Sequence, residues 1–104
     1  MKNTCLIIFL TAIIGLFSFS VQGEDATAQL GKKLFNDPTL GGSSNPNSCS
    51  FCHPNGKGLE TAGSITNIGE MINRCIEKAL QGNKIDNDSV EMKSLILYIK
   101  SLEK

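Results

Sequence analysis

The chain has no tryptophan, one tyrosine and a single histidine, His53. One imidazole excludes a bis-histidine metal centre. Lys and Arg together number 10 and Asp and Glu number 10, with no long run of either sign. Nothing in that balance recruits nucleic acid or a strongly charged docking partner. There is no internal repeat, no sustained heptad and no run of strand alternation, which removes coiled-coil, solenoid and β-sheet architectures. Paired carboxylates at a spacing suited to acid–base work are also lacking, since Glu60, Glu70 and Glu77 read as solvated surface. The expectation on this count is a binding and redox protein that is not an enzyme.

The one extended apolar stretch, Cys5 to Phe17, is 13 residues long. That is short for a bilayer span, which takes about 20. With Lys2 before it and a polar exit from Ser18 to Gly23 after it, residues 1–23 read as a secretory signal peptide. Small residues at Val21 and Gly23 place cleavage before Glu24, with Ser20 as the alternative. The expected mature domain is 24–104, exported to the periplasm or an equivalent compartment, with no membrane segment. Removing 23 residues from 104 leaves 81, a net charge near minus one and three cysteines. A domain this small has little interior of its own and needs a disulfide, a metal or a partner to hold it.

Cys49-Ser50-Phe51-Cys52-His53 supplies such a staple, because Cys-x-x-Cys-His is the attachment pattern of covalent haem c. Cysteines three apart on a helical turn share one side. Each sulfur can then form a thioether to the porphyrin, with His53 as the proximal iron ligand.

Three helical segments frame this motif. Asp25 to Asn36 places Ala28, Gly31, Leu34 and Phe35 on one face and stops before Pro38. Asn67 to Gln81 repeats apolar residues at i, i+3, i+4 and i+7 from Ile68 through Leu80, with Cys75 in the middle of that buried face. It opens on a capping pair, Asn67 and Glu70, and ends at Gly82. Ser89 to Leu102 buries Met92, Leu95, Ile96, Ile99 and Leu102, with Asp88 and Glu91 at its start. Gly, Ser, Asn and Pro fill Asp37 to Ser48 and Pro54 to Thr66, which read as loops. The fold class is all-α, three or four short helices with long loops.

The sixth iron ligand is open among Cys75, Met71 and Met92. Cys75 is an unpaired thiol of an exported chain, with an inert buried thiol and an intermolecular disulfide as its other readings. Met71, one turn earlier on the same face, would give ordinary His/Met ligation. Met92 falls inside the last helix and reads as packing. A Cys3His zinc site from Cys49, Cys52, His53 and Cys75 is disfavoured, because adjacent Cys52 and His53 strain to reach one small ion. Thioredoxin-like dithiol chemistry lacks its βαβ frame.

The three helices and the haem motif after the first resemble small monohaem cytochromes c of class I, whose first and last helices cross at a glycine and aromatic contact. Gly31 and Phe35 against Leu95 to Tyr98 match that contact, and Leu30 to Pro38 is similar to the start of many bacterial cytochrome c domains. Asn73-Arg74-Cys75, Asp88 to Met92 and Tyr98-Ile99-Lys100 further resemble the cytochrome domains of thiosulfate dehydrogenases and the His/Cys-ligated heterodimeric cytochromes of anaerobic ammonium-oxidising bacteria. That resemblance implies Cys75 as distal ligand, a sibling cytochrome as partner beside other redox proteins, and binding of NO or CO at the ferrous haem. A thiolate ligand favours Fe(III), so low-potential electron transfer is the companion expectation. A haem subunit of a sulfur-oxidising enzyme is the alternative, although the second Cys-x-x-Cys-His of those dehydrogenases is missing.

Overall fold

The computed structural model describes residues 25–104. The proposed leader, 1–23, and its cleavage site lie outside the described residues. Within them the chain is helical and contains no strand. The helices are α1 (Ala28–Phe35), α2 (Cys49–Cys52), α3 (Ile68–Lys78) and α4 (Val90–Ser101), with single 3₁₀ turns at Leu40–Gly42, Pro54–Gly56 and Ala62–Ser64. The all-α class read from the periodicity is the class observed.

Helix α1 begins later than the apolar pattern suggests, because Thr27 is its cap and its hydroxyl accepts the Leu30 amide at 3.0 Å. The Thr27 amide in turn donates to the Ser94 hydroxyl of α4 at 3.1 Å, so one residue starts α1 and ties it to its neighbour. The two helices pack along each other, and their crossing is set by Gly31. A Cβ there would run into the Ser94 carbonyl and lie 2.8 Å from the Tyr98 Cβ. One turn on, Phe35 meets Tyr98 edge to face with ring centroids 5.1 Å apart, a favoured aromatic geometry. The glycine and aromatic crossing expected from the resemblance is therefore present.

Helix α3 packs across the other side of the core through Ile68, Ile72 and Ile76. Asn67 caps it by position, but its side chain makes no capping hydrogen bond. Its end comes at Lys78, before the expected Gln81, since Gln81 adopts φ +58° and turns the chain. The Gly82 amide then reaches back to the Ile76 carbonyl at 2.9 Å, satisfying an end carbonyl of the helix. Ser43 donates to the Leu80 carbonyl and the Asn83 amide to the Gly41 carbonyl at 2.8 Å, so the loop after α1 is fastened to the loop after α3. Helix α4 is capped by Ser89, whose hydroxyl accepts the Met92 amide at 3.1 Å, rather than by Asp88.

Candidate functional site

An open cleft of about 170 Å³ lies between α2, α3 and the core face of α4. Cys49, Cys52 and His53 contribute one part of the lining, and Met71, Cys75 and Ala79 of α3 another. Phe35, Leu95 and Ile99 close the floor. Apart from Ser48, His53 and the thiols, the lining is apolar.

The short helix α2 brings the two motif cysteines to this cleft. His53 ends it, with its amide bonded to the Cys49 carbonyl at 3.1 Å. Its ring Nδ1 lies 3.0 Å from the Lys57 carbonyl oxygen. A carbonyl can only accept, so Nδ1 carries the proton and Nε2 is left with a free lone pair. Pro54–Gly56 forms the turn that folds Lys57 back over the imidazole, through bonds from Gly56 to the His53 carbonyl at 2.8 Å and from Lys57 to the Pro54 carbonyl at 3.0 Å.

The Cys75 side chain is exposed, unlike the buried position its helical face suggested. The difference has a simple cause. Met71 and Cys75 of α3, with Ala79 just past its end, line the cleft together with the buried Ile68 and Ile72, whereas Ile76 is wholly buried and absent from the cleft wall. Met71 is 40% exposed along the same wall. Met92, by contrast, is 0% exposed and absent from the cleft wall, so it is packing, as its place in the last helix suggested. Burial pushes the Cys49 thiol up to about 11, with the nearby Cys75 adding to it.

These residues fit a haem c. The sulfur pair, a histidine with one free nitrogen, and an apolar slot open on one side match what a covalently attached porphyrin requires. No group of three or more His, Cys, Asp or Glu side chains among the described residues is placed to hold a metal ion unaided.

Three contributors were invisible in the sequence. The Lys57 carbonyl, the acceptor for the proximal ring, is backbone and leaves no residue signature. Glu60 reads as surface but takes the Gly58 amide on both carboxylate oxygens, at 3.0 and 3.1 Å. Asn73 sits buried within α3 and pairs with both backbone groups of Ile85, donating to the carbonyl and accepting from the amide at 2.9 Å each. That pair holds the connection to α4.

A sequence model of the family described as di-haem cytochrome c peroxidase matches residues 25–95. No curated protein and no solved structure matches the chain. The match supports a c-type cytochrome domain and does not single out the heterodimeric His/Cys cytochromes or the thiosulfate dehydrogenases. It also corrects one expectation. A peroxidase family is a family of enzymes, so the reading of the chain as a non-enzymatic binding protein, drawn from its missing acid–base pairs, is overturned. Absence of a carboxylate pair was poor evidence, because a haem carries redox chemistry that side chains need not supply.

Proposed function

The chain belongs to the di-haem cytochrome c peroxidase family, and from that premise we propose that residues 24–104 form an exported haem c domain that moves electrons within a peroxide-reducing assembly. Bound haem c supplies one-electron Fe(III)/Fe(II) chemistry. The chain's own residues anchor, orient and insulate it. Cys49 and Cys52 hold the porphyrin by two thioethers, and His53, kept in one tautomer by the Lys57 carbonyl, presents Nε2 to the metal. Phe35, Leu95 and Ile99 keep water from one side of the cleft.

Cys75 is assigned as the distal ligand. The observation that carries the assignment is that Cys75 borders the same cleft as the motif residues, while Met92 does not. A thiolate donor lowers the potential and favours the ferric state. Where Cys75 swings away, the cleft admits a small ligand such as NO, CO or peroxide. One Cys-x-x-Cys-His occurs in the sequence, so these residues attach one haem, with a redox partner such as a sibling cytochrome proposed to exchange electrons with it.

Met71 borders the cleft as well, which makes His/Met ligation the reading to be tested against this one. Ferric absorption and electron paramagnetic resonance spectra of Cys75→Ala and Met71→Ala decide between them. Loss of the low-spin ferric signal in Cys75→Ala alone is expected. Loss in Met71→Ala alone assigns the thioether instead.

A further inference from the structure

The Lys57 carbonyl that accepts the His53 proton and the Gly58 amide that donates to Glu60 belong to one peptide group. Imidazole, peptide and carboxylate thus form an unbroken series, Nδ1–H to O=C–N–H to carboxylate, with contacts of 3.0 Å at each junction. Gly58 takes φ +93°, a backbone conformation that L side chains rarely adopt, and its Cα faces the ring so that a Cβ would lie 3.5 Å from Nδ1. Glycine lets the peptide group sit flush against the imidazole at that angle.

We infer that Glu60 is a positioning residue for the proximal histidine, acting through the Lys57–Gly58 peptide group to set how strongly His53 donates to the iron. An anion at an amide N–H polarises that amide and leaves more negative charge on its carbonyl oxygen. A stronger acceptor draws the Nδ1 proton further from the ring, and the imidazole becomes a better electron donor at Nε2. More donation favours Fe(III) and lowers the potential. The carboxylate stays ionised in this setting, since its own amide and that of Gly58 hold its pKa below the usual range, with Lys104 and Lys57 adding to this. The inference rests on the proposal above that His53 binds the iron.

The test uses the full haem-loaded chain with Glu60→Gln, Glu60→Asp and, as a control that removes a surface carboxylate without touching this peptide, Glu103→Gln. Spectroelectrochemistry reads the potential. Proton and nitrogen NMR of the ferrous protein read the His53 Nδ1–H resonance. In Glu60→Gln, which keeps an acceptor oxygen but loses the charge, the ferric-to-ferrous ratio at fixed potential is expected to fall about threefold, or about 28 mV on the scale where tenfold is 59 mV for one electron. The Nδ1–H resonance should move upfield with it. Glu60→Asp should return both toward wild type, and Glu103→Gln should produce less than half the shift. If the wild-type His53 ring shows the resonances of an iron-bound imidazole yet Glu60→Gln leaves both readouts in place, or Glu103→Gln matches it, the inference is overturned alone. If the wild-type ring feels no iron, the ligand assignment fails and takes the inference with it.

Discussion

Gly31 stands so close to the carbonyl of Ser94 that no side-chain carbon fits between α1 and α4. The two helices form the floor beneath the cleft, and their spacing decides where Phe35, Leu95 and Ile99 lie. Helix propensity favours alanine over glycine by about 1 kcal/mol. Here packing wins. Gly31→Ala is expected to destabilise the protein by about 1–3 kcal/mol, the usual cost of overfilling a tight contact, as read by urea unfolding of the haem-loaded chain. A stability gain would show that the helices separate freely.

Asn73 presents the opposite case, a buried polar side chain of α3 that stabilises the fold. Asn73→Ala leaves both backbone groups of Ile85 without their partner. Two hydrogen bonds at about 1 kcal/mol each give an expected loss of about 2 kcal/mol. The loop 83–88 should also become more sensitive to limited proteolysis, and an unchanged cleavage pattern would show that Asn73 does not hold it.

The outline of the fold was legible because its signals are periodic. Gly31 and Phe35 against Tyr98, Ile68, Ile72 and Ile76 of α3, and Met92, Leu95 and Ile99 of α4 recur at helical spacing and are buried where that spacing put them, while Cys75 and Met71 are exposed and Ile96 is only partly buried. Helix ends were less legible. Thr27 and Ser89 proved to be the caps, and the backbone at Gln81 stopped α3, because these choices turn on single hydrogen bonds and dihedrals rather than on pattern. The cysteine and histidine motif is local, so its residues meet in space by construction. Cys75 was placed on the correct helix, but a sequence gives no sign that an apolar stripe borders a cleft instead of solid core. The contacts of Lys57, Glu60 and Asn73 join loops through backbone groups, which carry no residue code.

Met92 and Cys75 should separate stability from coordination. Met92 is wholly buried in the core, and truncation to alanine is expected to cost about 2–5 kcal/mol. Its ferric spectrum should nonetheless match wild type. Cys75→Ala should change the ferric spectrum entirely, and any stability it costs in the haem-loaded chain is that of the lost sulfur–iron bond. Paired measurements of unfolding and absorption on both variants check this, and a spectral change in Met92→Ala would return that residue to the list of ligands.

The turn after α1 has an acid limit. Asp37 accepts from both the hydroxyl and the amide of Thr39, at 2.7 and 2.8 Å, and these bonds hold its pKa below the model-compound value of 3.8. A carboxyl whose folded pKa is depressed contributes stability above its unfolded pKa and loses it as pH falls through the folded value. Asp37→Asn should therefore be less stable than wild type at neutral pH, by a small margin because the group is almost fully hydrated. The two curves should converge below pH 3.8. A difference that persists at the acid end would mean that the turn depends on the shape of the side chain and not on its charge.

Peroxide chemistry gives the sharpest test of the distal assignment. A metal held on both sides by protein donors would have no position for a peroxide, so with His53 and Cys75 both bound, peroxide reduction should wait on release of the sulfur. Cys75→Ala opens that position. Its reaction with hydrogen peroxide, followed by stopped-flow absorption, is expected to be faster than wild type by about tenfold or more, which corresponds to a barrier lowered by about 1.4 kcal/mol. Mass spectrometry should show one haem added per chain, lost in Cys49→Ser/Cys52→Ser. If wild type already reacts as fast as Cys75→Ala, the sulfur does not block the metal, and the distal assignment fails.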